Sequence, residues 1–227
     1  MHPCCLPHSC RFYTIRYIYR QMHICRSWAK AWKVGKGAEM AKFFGVWVYG
    51  GVLAALALMV SAVGLAFYLP LPLLLVFLLM PGYMVHQAEE HFDDRFRHFI
   101  DAEIGKGRPV LSDRDIFFVN VPGVWGVFAL CFALACTVNV GSGLVPAYAA
   151  LVNVPAHVAP ALRMGRINPG LVTAVVVLLP LSVWTIVSVG SEAGVSWHWH
   201  AGAIAVAVLT HAGIFGLAAL RVRANRI

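Results

Sequence analysis

Six long apolar stretches limit what this chain can become. They run over about 43–69, 71–88, 116–138, 144–162, 170–190 and 200–220. A helix needs about 20 largely apolar residues to cross the hydrocarbon core of a bilayer. The expected fold is therefore all-α, a multi-pass transmembrane helical bundle of about six spans. Composition agrees, with 60% of the 227 residues hydrophobic and 12% charged; soluble domains carry about a quarter charged residues. The second stretch is short and interrupted by Pro81-Gly82, and such breaks are tolerated in lipid where neighbours satisfy the freed backbone groups.

Charge fixes an expected orientation. Beyond residue 39 there are eleven Lys/Arg. With both termini cytoplasmic, all eleven fall on inside segments: Lys42; Arg95, Arg97, Lys106, Arg108 and Arg114; Arg163 and Arg166; Arg221, Arg223 and Arg226. The outside turns near 69–71, 139–144 and 190–200 hold none, as the positive-inside rule requires. Residues 1–39 differ, with seven Lys/Arg against one Glu and four of the six cysteines. They lack the 7–15-residue apolar run of a signal peptide. They read as a basic extension ahead of a start at Met40, with 40–227 as the transmembrane domain; a basic amphipathic helix on an anionic leaflet is the other reading.

The stretch "MVHQAEEHFDDRF" at 84–96 follows an apolar run almost directly. Residues at i, i+3 and i+4 share a helix face, so His86, Glu89 and Glu90 project together. On the expected topology Asn120, Asn153, His157 and His211 reach a similar depth from three other helices. Ionisable groups at that depth are costly unless they converge on partners. An imidazole and a carboxylate one turn apart can ligate one metal ion, and a neighbouring carboxylate is placed to take a proton from water, the H-E-x-x-H logic in reverse. The expected ligands are His86, Glu90, His157 and His211 around a divalent ion, Zn²⁺ or Fe²⁺ by ligand type. Glu89 is the expected general base, and Asn153 is expected to orient substrate.

On these residues the chain resembles the HXXEE-domain integral membrane proteins. "HQAEE" is their motif, and "NVPAH" and "INPGL" match further family features over roughly 45–220. Asn168 stands where the family's residue before Pro-Gly is expected to be Tyr or similar. The resemblance implies a six-span membrane protein and sharpens the site; it implies no reaction.

Plainer readings stand beside these. Asp93, Asp94, Asp101 and Glu103 read as a solvated end pairing with arginines, His91 and His98 as interfacial, and His198 and His200 with two Trp as a membrane-interface belt. His211 is equally readable as a satisfied core residue. No nucleotide-binding loop or G-x-S-x-G elbow occurs, and no basic patch with stacked aromatics suggests nucleic acid. A two-iron site would need more carboxylates than the spans hold. The leading expectation is a metal-dependent membrane enzyme, hydrolase or oxidoreductase, in the plasma or inner membrane, acting on a small or lipid-like substrate. The alternatives are a proton-coupled carrier using Glu89 and Glu90 as a titrating pair, and a structural membrane protein.

Overall fold

The computed structural model describes residues 44–224; the basic extension 1–39 and Met40 lie outside the described residues. Six helices are long and apolar enough to cross a membrane, and no strand occurs among the described residues. The chain is a multi-pass α-helical bundle. We label its helices α1 (Phe44–Leu65), α2 (Leu71–His91) and α3 (Arg95–Glu103), α4 (Asp113–Thr137), α5 (Val140–Met164), α6 (Leu171–Gly190) and α7 (Trp197–Ala224).

Local sequence explains the ends. Pro72 stands in the first turn of α2, where its missing N–H costs nothing. Two aspartates close α2: Asp93 and Asp94 adopt left-handed φ of 52° and 56°, a region that Asp tolerates better than most residues. α3 then leaves in a new direction, and Arg97 ties Asp94 to Asp113. Ser112 and Asp115 cap α4 reciprocally, satisfying two otherwise orphan donors. α5 ends on Gly165 at φ 63°, the left-handed stop that glycine favours.

α2 corrects the sequence reading. The helix runs unbroken through Pro81-Gly82 and continues to His91. The pair makes a packing notch instead, since a Cβ on Gly82 would lie 3.0 Å from Leu181 of α6. The broken regions lie elsewhere: α4 widens to π-helix over Val119–Gly126 around Pro122, and α6 does so over Ala174–Leu178. Proline removes one rung of the ladder, which a wider turn absorbs.

α2 also forms the centre of the bundle. In its most apolar window 56% of residues are buried, against 39% in α5 and 17% in α4 and α7. Its Leu79 packs with Ala147 of α5 and Leu178 of α6, its Val76 packs with Leu144 of α5, and all are at most 3% exposed. In lipid there is little hydrophobic gain from helix association, so close van der Waals contact carries the packing. Gly143 shows how close: a Cβ there would sit 2.2 Å from Val76. The outer faces remain apolar and open, with Leu53 and Val60 on α1 and Leu209 and Leu220 on α7 among the exposed residues. Ser61, Thr137, Thr185 and Thr210 return their hydroxyls to carbonyls one turn back, which keeps polar groups satisfied away from water.

Candidate metal centre

α2 and α5 bring three ligand-type side chains together. His86, Glu90 and His157 are all buried and each offers one atom within 4.8 Å of the other two. Glu90 Oε2 lies 3.6 Å from His86 Nε2, and Glu90 Oε1 lies 3.7 Å from His157 Nε2. The two imidazole rings meet edge to face, their centroids 4.9 Å apart. Donor atoms around a tetrahedral Zn²⁺ stand roughly 3.3 Å apart for bonds of ~2.0 Å, so small side-chain adjustments close the set.

The turn before α6 decides how both rings are presented. Asn168 Nδ2 donates to the His157 carbonyl at 2.7 Å, which leaves its Oδ1 facing His157 Nδ1 at 3.2 Å. A carbonyl cannot donate, so the orientation is fixed and Nδ1 carries the proton. Thr173 works the same way on the other ring. Its hydroxyl donates to Glu89 Oε2 at 2.6 Å and therefore accepts from His86 Nδ1 at 3.0 Å. With Nδ1 engaged on each ring, Nε2 is the nitrogen left facing Glu90. This is the outer-sphere arrangement that fixes tautomer and aim in ligating histidines.

Gly170 completes the turn. Its φ is 89°, and a Cβ there would fall 2.7 Å from His157 Cε1 and 2.8 Å from His86 Cε1. Both the backbone conformation and the two rings exclude a side chain. The "NPGLVT" segment is therefore a cradle: Asn168 holds one histidine, Thr173 the other, and Gly170 lies against both.

Glu89 belongs to this cradle. Its carboxylate accepts from the backbone N–H of Val172 at 3.2 Å and of Thr173 at 2.7 Å, besides the Thr173 hydroxyl. An acidic side chain there also complements the positive end of the α6 dipole. The general-base expectation placed this carboxylate facing the centre; the structure places it on the turn, with Glu90 alone of the pair lining the adjoining cavity. Asn153 lies at the centre itself, its Nδ2 2.8 Å from His86 Nε2.

His211 does not join the group. It lines the same cavity from α7, but its Nδ1 donates to the Ala207 carbonyl one turn back at 2.9 Å. His91, read as interfacial, is instead buried, with its Nε2 3.4 Å from Glu90 Oε2 and its ring 5.2 Å from that of Trp47. His98 has no such placement. His200 does more than fill an interface belt, since its Nδ1 meets the Tyr148 hydroxyl at 2.9 Å.

Sequence reasoning assigned no role to the Asn168 side chain and missed Thr173 and Gln87 altogether. Thr173 gave one signal, a hydroxyl three residues after the glycine of a helix-opening turn. Gln87 gave none. Trp125 Nε1 donates to Gln87 Oε1 at 2.6 Å, Gln87 Nε2 donates to Asn120 Oδ1 at 2.8 Å, and Asn120 Nδ2 donates to the Ile116 carbonyl at 2.7 Å. A donor-only indole at one end and an acceptor-only carbonyl at the other fix every amide between them. This chain ties α2 to α4 on the side away from Glu89, next to the face that carries His86 and Glu90, and so opposes rotation of the motif.

Beside the centre lies a cavity of about 700 Å³, within the range of small-molecule sites. Glu90, Asn153 and His157 occupy part of its wall, and residues such as Phe99, Phe128 and Ile214 supply apolar surface.

Residues 77–185 match the family model described as a protein of unknown function with HXXEE motif. The match is narrower than the 45–220 expected, yet it contains the whole centre and its cradle and leaves out His211. Neither a curated protein nor a solved structure matches the chain. Residues 77–185 thus match an HXXEE family whose function is unknown, and they lie within a bundle of six helices long and apolar enough to cross a membrane.

Proposed function

We propose that the HXXEE domain holds a divalent metal ion at His86, Glu90 and His157 and serves a metal-dependent membrane enzyme, a hydrolase or oxidoreductase acting on a small or lipid-like substrate. The observation that carries this is the convergence of lone pairs. Two histidines whose Nδ1 protons are committed elsewhere turn Nε2 toward one carboxylate at 3.6 and 3.7 Å, beyond hydrogen-bond reach. In neutral rings the two Nε2 lone pairs and the carboxylate repel one another; the Asn153 amide, 2.8 Å from His86 Nε2, offsets this in part, and a cation between the three would relieve it.

Two nitrogens and a carboxylate oxygen suit Zn²⁺ or Fe²⁺. Such an ion would supply a Lewis acid or a redox centre. The chain's own residues do the rest. Asn168, Thr173 and Glu89 hold the rings in register from behind, so Glu89 is assigned a positioning role. Asn153 is placed to hydrogen-bond a substrate at the centre once its amide turns from His86 Nε2. The distribution of basic residues supports a centre near the cytoplasmic side of the membrane.

Elemental analysis of the purified, detergent-solubilised protein tests this. About one equivalent of metal in the wild type, lost in Glu90→Ala and His157→Ala, is expected. A metal-free wild type after expression in metal-replete medium overturns the reading and makes a proton the cation, as in the proton-coupled carrier.

A further inference from the structure

The cavity beside the centre has an uneven charge distribution. Three acidic residues line it: Glu90, Glu103 and Asp115. Glu90 belongs to the centre. Glu103 is paired with Arg166, and Asp115 is paired with Arg221 through two contacts. Arg163 also lines the cavity, is exposed, and has no acidic partner among the described residues. It stands in the last turn of α5, on the cavity-facing stripe that carries Asn153, Ala156, His157 and Pro160. The rim thus carries one uncompensated positive charge, and the wall between rim and centre is mostly apolar.

A planar guanidinium at the edge of an apolar cavity suits a carboxylate or phosphate held by paired hydrogen bonds. Six residues of helix separate Arg163 from His157, or about 9 Å along the axis. We propose that the cavity takes an anionic single-chain amphiphile, with its acidic head on Arg163 and its chain along the apolar wall. A position several bonds from the head then lies beside Asn153 and His157. Arg163 is the residue that sets head-group specificity, and its distance from the centre sets which part of the chain is presented. As a substrate class this rests on the metal-centre reading; as a binding site it stands on the cavity and Arg163 alone.

Native mass spectrometry from a neutral maltoside detergent tests it. Wild-type protein is offered equimolar oleate, oleoyl lysophosphatidate and oleyl alcohol, and adducts are compared. One charge-assisted pair corresponds to about a tenfold preference, so the acidic probes should exceed the alcohol by about tenfold. The relative yield of the two acidic probes tells whether carboxylate or phosphate is the preferred head. Arg163→Gln should bring acid and alcohol to parity without reducing the alcohol adduct, and Arg163→Lys should restore part of the preference. Glu90→Ala should lose metal yet keep the preference for acid. Equal adducts in the wild type, no adducts at all, or an unchanged preference in Arg163→Gln would overturn the proposal. Acid preference lost in Arg163→Gln in a protein that carries no metal would leave the binding site standing and remove the enzyme reading.

Discussion

His86 and His211 both sit on helices apolar enough to cross a membrane, yet they do opposite things. His86 is fully buried, and both its ring nitrogens have partners on other helices. His211 gives its Nδ1 to its own helix. A ring that satisfies itself locally needs no neighbour, whereas one that cannot must be met by a built site. Hydropathy places a helix in the membrane; only its neighbours decide whether it lies at the centre of the bundle. α2 is enclosed on several sides, whereas α7 buries only Ala203, Ala207 and Ala218, so equal residues acquire unequal meaning.

Four experiments can break or sharpen that contrast. The largest effect is expected at Gly170. Gly170→Ala must strain a left-handed backbone at a cost of about 1–3 kcal/mol and push both imidazoles. Metal content should fall to background and the melting temperature should drop; retention of one equivalent would mean that the cradle does not control the histidines. Next come the residues behind the rings. Thr173→Val should weaken metal affinity by about 10–100-fold, the usual cost of losing an outer-sphere partner, and Thr173→Ser should recover most of it. Competition with a chelator of known affinity reads this, and equal affinities would remove Thr173 from the cradle.

Gln87 tests the side of α2 that meets α4. Gln87→Leu leaves the Trp125 indole and the Asn120 amide short of partners, costing about 1–3 kcal/mol of stability with a smaller effect on metal affinity. Denaturation in mixed micelles measures it, and an unchanged midpoint would show that the helix needs no such pin. The smallest effect belongs to His211→Leu. Because the ring is satisfied within α7, stability should move by no more than about 0.5 kcal/mol and metal should stay bound. Loss of metal in that variant would bring His211 back as a fourth ligand and erase the difference between the two helices.

Several parts of this arrangement were legible beforehand. The six spans follow from apolar length alone, and the structure reproduces them with shifts of a few residues. His86, Glu90 and His157 followed from helix spacing and from the cost of placing polar groups at depth. Three features resisted. Pro81-Gly82 looks like a break by composition, but Gly82 is filled by Leu181 and the helix continues. His91 looks interfacial beside Phe92 and the aspartates, yet α2 runs one turn further and takes it inside. Thr173 lies in an apolar run, and its place three residues after Gly170 does not reveal that its hydroxyl meets a residue 87 positions away.

Glu89 and Glu90 state the division most clearly. Successive residues on a helix point about 100° apart, so two adjacent glutamates always face different neighbours. The sequence by itself determined that α2 would cross the membrane with one histidine and two acids near its end. Only tertiary packing decided the rotation of that helix, because α4 holds it through Gln87 while the α6 turn meets Glu89 on the far side and α5 meets His86 and Glu90 between them. That rotation turns Glu90 to the histidines and Glu89 to the turn. Spacing sets which side chains travel together, and the surrounding helices set where each one arrives.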